Sequence, residues 1–120
     1  MILLLFASSL VILNANEPSI DQIWLGHRSH DPGKLVVNWI SKEPGESIVR
    51  FGRTEEYGQE VRIANDTTLH HVEIPLAETG GVYHYSVHTE NQSSKGFTFK
   101  AYPKDVLRVA VVADWQGLPD

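Results

Sequence analysis

The sequence predicts an all-β chain, an antiparallel sandwich of short strands, and three observations carry that expectation. Apolar and polar residues alternate with period two in one run after another. The runs are rich in β-branched and aromatic residues, as strands prefer. The connectors "DPGK", "EPGE", "ETGG" and "NQSS" are turn chemistry rather than helix caps. No stretch of ten or more residues shows a convincing helical period. A length of 120 residues is one domain's worth, enough for a single modest core.

The first fifteen residues stand apart from this pattern. "MILLLFASSLVILNA" holds no charge and an apolar run from Ile2 to Leu13, of the length of a secretory h-region and short for a bilayer span. Small and polar residues follow, so residues 1–15 read as a signal peptide cleaved after Ala15. The n-region has no Lys or Arg, and Leu13 is a poor residue at the −3 position; the competing reading is a buried first strand or helix. An exported chain with no stable membrane span after cleavage, secreted or periplasmic, is the expectation.

Six runs then read as strands in order. "IDQIWLGHR" puts Ile23 and Leu25 on one side. "KLVVNWIS" puts Leu35, Val37 and Trp39 on one face, with Trp39 placed to fill the centre between two sheets. "SIVRFG" sets Val49 and Phe51 against Ile48 and Arg50. "HHVEIP" offers Val72 and Ile74, "VYHYSVH" offers Tyr83, Tyr85 and Val87, and "KGFTFKAY" offers Phe97, Phe99 and Ala101. Six or seven such strands at this spacing predict a sandwich of immunoglobulin or fibronectin III type over residues 16–103. "PLAETGGVYHY" fits the corner in which a tyrosine hydroxyl bonds back to upstream backbone, with Tyr83 the better candidate and Tyr85 the other.

The pattern changes at "VLRVAVVAD". Residues 106–113 are apolar on both faces, broken only by Arg108, as in strands of a parallel sheet covered by helices. "AYPKD" before them carries the proline and charges of a domain boundary. Residues 104–120 therefore read as the start of an α/β domain, truncated in this chain; the alternative is a last strand of the sandwich. An acid, Asp114, closes the run. Ligands of open α/β sheets bind beyond the carboxyl ends of strands, where a carboxylate is a hard oxygen donor for a metal ion. A turn aspartate is the other reading of the same residue.

Composition narrows the function classes. A formal net charge of −5 offers no basic surface for a polyphosphate backbone, so nucleic acid is disfavoured as a partner. With no cysteine there is neither a disulfide framework nor a thiolate metal site. His84 and His88 share a strand face but lie about 13 Å apart along it. His70 and His71 point to opposite faces, and His27 and His30 lack a third ligand. All six histidines read as solvated strand and loop residues. "NDT" at Asn65 and "NQS" at Asn91 fit the N-glycosylation acceptor pattern.

The order "VVNWIS", "SIVRFG", "YHYSVHT", "GFTFKAYP" and "LRVAVVADWQG" resembles the purple acid phosphatase family over residues 20–117. It looks like that family's fibronectin III-like N-terminal domain running into the first strand of its metallophosphoesterase domain. The resemblance implies hydrolysis of phosphate monoesters at a dinuclear centre of iron with iron, zinc or manganese. By matching position it implies that Asp114 is a metal ligand. The family writes Gly-Asp-x-Gly there; this chain has Ala113 and Gln116 in place of the two glycines. The family's later ligands, an Asp with a nearby Tyr, an Asn next to His and further His, have no counterpart among these residues. The expectation is that the chain as given binds no metal pair and is inactive alone, with a phosphate ester the substrate of the full-length form. A free-standing binding module is the alternative, using the loops "HRSHDPG" and "ENQSSKG" with Trp24 as an exposed platform; an inactive remnant is the third.

Overall fold

The computed structural model describes residues 19–27 and 31–112, and among them it holds β-strands and no helix. The strands are β1 (Ile23–Gly26), β2 (Lys34–Gly52), β3 (Gln59–Pro75), β4 (Val82–Thr89), β5 (Gln92–Ser93) and β6 (Phe97–Lys100). Every pairing between them is antiparallel, and one isolated parallel bridge joins Ser19 to Ser93. All-β is thus the architecture of the described chain.

Two strands are much longer than the alternating runs suggest. β2 and β3 pair along most of their length, from Lys34↔Pro75 to Phe51↔Gln59, and together they pass from one half of the sheet to the other. In the first half β2 carries β1 on its other edge, through Ile23↔Trp39 to Gly26↔Val36. In the second half that edge belongs to β4, through Ile48↔His88 to Gly52↔His84. β5 and β6 share the far edge of β4.

"EPGE" is therefore not a turn: residues 43–46 lie inside β2, where the register with β3 shifts on either side of Gly45. A proline cannot donate to a ladder and is tolerated at such a bulge. The backbone freed there is taken up by the carboxamide of Gln92, from the far edge of the fold. Its Oε1 accepts from Lys42 N at 2.8 Å and Glu43 N at 3.2 Å, and its Nε2 donates to Glu43 O at 3.1 Å. Gln92 is fully buried. "NQSS" likewise splits, with Glu90–Asn91 as a two-residue loop between Thr89 and Gln92 and the next two residues forming β5.

The core collects the alternate residues of both halves. Leu35, Val37 and Trp39 of β2 meet Val72 and Ile74 of β3, then Val49 and Phe51, then Tyr83, Tyr85 and Val87 of β4, all buried. Phe97 and Phe99 pack against this cluster, and Tyr83 stacks on Phe99 with ring centroids 5.3 Å apart. Trp39 is wholly buried and its Nε1 donates to Thr89 Oγ1 at 3.0 Å, tying the first half to the end of β4.

Tyr83 closes the predicted corner. Its hydroxyl donates to Glu78 O at 3.0 Å and accepts from Glu78 N at 3.2 Å, five residues upstream. Gly80 and Gly81 take φ of 71° and 74° in that turn, which side chains rarely adopt. Arg53 locks it from across the fold: its guanidinium lies 4.0 Å over the Tyr83 ring and donates to Gly80 O at 2.7 Å.

Residues 106–112 form no strand and add nothing to the sheet. Val106 is 66% exposed, Val109 71% and Val111 90%. The described chain holds no ladder partner for them. The expected signal peptide, residues 1–15, and the end of the apolar run lie outside the described residues.

Candidate functional site

Asp114, the one metal-ligand candidate, also lies outside the described residues, so the site is described up to the chain that leads to it. That chain leaves the sheet where β6 ends beside the start of β4, at Val82↔Lys100. Ala101 N donates to Gly81 O at 3.0 Å and Gly80 N to Tyr102 O at 2.6 Å, fixing the point of exit. The Tyr102 ring lies 4.9 Å from the ring of His27, whose Nδ1 is 3.1 Å from Lys34 O. Leu25, Leu35, Leu76, Val82 and Phe99 floor an open, mostly apolar groove of about 890 Å³ at this end, flanked by Leu107 and Arg108 of the outgoing chain.

The histidines do not converge. His84 and His88 stand on β4 either side of Ser86, whose hydroxyl is 2.9 Å from His88 Nε2. Burial, and then the nearby Arg50 charge, push the His88 imidazole below its ordinary value, with Glu60 pulling the other way. His71 Nδ1 faces Asn38 Oδ1 at 2.5 Å, while His30 lies outside the described residues. Among the described residues no three of His, Asp or Glu are grouped so as to hold a metal ion.

His70 corrects the reading of all six as solvated. It has no exposed surface, and its ring stacks on Trp39 at 4.6 Å and 8°. Its Nδ1 lies 2.6 Å from Ser47 Oγ; its Nε2 lies 2.9 Å from Ser41 Oγ and 3.3 Å from Thr89 Oγ1. Ser47 Oγ donates to Asn65 Oδ1 at 3.0 Å, so a proton on Nδ1 satisfies that side. Ser41 Oγ donates its proton to Glu43 O at 2.8 Å, so Nε2 accepts from Thr89 Oγ1, which itself accepts from Trp39. Burial, and next the charge of neighbouring His71, hold the imidazole below its usual value, so it sits neutral. The signal was in the sequence: 70, 72 and 74 share a phase, and Val72 and Ile74 are core residues. Buried in this way, the cluster ties β2, β3 and β4 together.

The loop pair of the binding-module reading is also separated. Of the first loop, His27 lies beside Tyr102 and Gly33 beside Leu76, at the exit end, and residues 28–30 lie outside the described residues, whereas Glu90 to Gly96 begin at the other end of β4. Eight residues of strand put about 23 Å between the two. Trp24 is 45% exposed on the outer face of β1, beside Asn38 and close to Ile40 and Leu69 on the same face. No protein-family model matches the chain, and no curated protein matches it.

Proposed function

We propose that this chain is the N-terminal part of an exported metallophosphoesterase of the purple acid phosphatase type, a fibronectin III-like sandwich leading into a metal-binding α/β domain. Asp114 is the ligand this chain contributes, and the activity of the whole is phosphate monoester hydrolysis. The observation that carries the reading is the apolar run beyond Tyr102. Residues 106–112 leave a finished β core with their valines bare to solvent, and such a segment is stable only when covered on both faces. An acid, Asp114, follows after Ala113, where α/β sheets hold their ligands. The Tyr83 corner and the core shared by the two halves of the sheet agree with the sandwich part of the reading.

A dinuclear centre of iron with iron, zinc or manganese would supply an activated hydroxide and charge neutralisation of the phosphoryl oxygens. Asp114 offers one carboxylate to it, and the remaining ligands come from outside these residues. The β domain then holds the outgoing chain at its Gly80–Tyr102 anchor.

The test begins with the native protein, captured by an antibody raised against residues 20–105, and its intact mass. The expected mass is far above the 13.5 kDa of this chain, with two metal ions per molecule. Asp114→Ala in that protein should cost at least about 100-fold in activity, since loss of even an outer-sphere partner of a metal costs up to that much. A native mass at or below 13.5 kDa would overturn the proposal.

A further inference from the structure

Two sequence motifs have no part in the proposed chemistry, and the fold brings both to one place. Asn65-Asp66-Thr67 and Asn91-Gln92-Ser93 are twenty-six residues apart in the chain. Thr67 pairs with Gly45 of β2, and a Cβ on Gly45 would lie 2.4 Å from Glu90 Cγ, next to Asn91. Both acceptor sequences therefore flank the bulge at residues 43–46. That is the end of the fold opposite the Gly80–Tyr102 exit.

Both asparagines are presented for modification. Asn91 is exposed in the two-residue loop Glu90–Asn91, where Glu90 takes φ of 52° and the next side chain, Gln92, turns inward. Asn65 is exposed where residues 64–66 bulge out of the ladder between Ile63 and Thr67. Its Oδ1 accepts from Ser47, a bond that a substituent on Nδ2 leaves in place. Among the described residues neither amide nitrogen has a hydrogen-bond partner. The middle residues, Asp66 and Gln92, are not proline.

We infer that Asn65 and Asn91 both carry N-linked oligosaccharides, which make a glycosylated pole at the end of the domain away from the outgoing chain. The donor is an oligosaccharide on a polyisoprenyl pyrophosphate. In the transfer, Nδ2 of each asparagine bonds to C1 of the first sugar, and the bond from C1 to the pyrophosphate oxygen breaks. The amide gives up one proton and the polyisoprenyl pyrophosphate leaves. Placed there, the sugars shield the bulged strands and leave the exit groove and residues 106–112 free. The inference rests on the export part of the proposed function, in a eukaryotic secretory route.

The experiment uses the native protein. Trypsin, cutting after Arg62 and Lys95, releases residues 63–95 as one peptide holding both acceptors. Treatment with a glycan-releasing amidase in ¹⁸O water converts each glycosylated Asn to labelled Asp, and fragmentation places the labels. Labels at both 65 and 91 are expected, together with a mature N-terminus near Asn16. In the secreted protein, Asn65→Gln and Asn91→Gln should each remove one glycan's mass. A peptide with no label, or a label at only one position, in a chain whose leader is gone overturns the inference and leaves export standing. A retained Met1 with no label overturns both.

Discussion

Acid should weaken this fold through His70, and the size of the effect follows from its burial. The ring has no exposed surface, and no carboxylate touches it. The groups packed around it are Trp39, Ser41 and Ser47 of β2, Asn65 and His71 of β3, and Thr89 of β4. Its folded value is held below the ordinary 6.5 by burial and then by His71, while the unfolded chain keeps the ordinary one. The unfolded state thus binds a proton first as pH falls, and stability present above pH 6.5 is lost below it. If the folded ring takes no proton, the loss from this one group reaches about 2 kcal/mol at pH 5. The assay is urea unfolding from pH 7.5 to 5, followed by tryptophan fluorescence, for the natural chain and for His70→Gln. At pH 7.5 the variant should be less stable by about 1 to 2 kcal/mol, through lost stacking and hydrogen bonds. At pH 5 the gap should close by up to about 2 kcal/mol, since glutamine does not titrate. His88, also held low by burial, is present in both proteins and cancels. A gap that stays constant across the range would refute the reasoning. So would an NMR titration of the natural chain in which the His70 ring takes its proton at the unfolded value; that measurement also serves if the variant fails to fold.

Two further substitutions test the backbone of the fold. Tyr83→Phe removes the hydroxyl that both donates to and accepts from Glu78, and should cost about 1 kcal/mol by urea unfolding, with Arg53 still stacked on the ring. Gly52→Ala places a methyl 1.4 Å from Tyr57 O, which is backbone and cannot swing aside; a loss of about 2 to 3 kcal/mol is expected, and an unchanged midpoint would mean the turn at residues 53–58 is held differently.

The core face of nearly every strand was legible because period-two alternation is a local signal. Val72 and Ile74, Tyr83, Tyr85 and Val87, and Trp39 at the centre all follow from it. The Tyr83 corner was legible for the same reason, since its partner Glu78 is five residues away. "EPGE" was misread because the groups that let it continue as strand come from Gln92, nearly fifty residues on. Proline and glycine say that a chain bends, and do not say whether a distant carboxamide will hold the bend inside a strand. His70 was misread by weighing residue type above phase: a histidine in register with two core residues is buried if hydroxyls await it, and Ser41, Ser47 and Thr89 lie on two other strands.

The same distinction between local and distant causes bears on Asp114. The last residue of the core cluster is Ala101, and the last backbone anchor is the bond from Gly80 to Tyr102. Among the described residues nothing beyond that point belongs to the core cluster. Asp114 stands thirteen residues past Ala101 in the sequence. A metal ligand must be held to within a fraction of an ångström. The valines between are what would hold it, because a strand buried on both faces is among the most rigid supports a fold offers. The exposure of Val109 and Val111 is thus the physical link between fold and proposed chemistry: under the proposed function, a layer that covered those side chains would also aim the carboxylate that follows them.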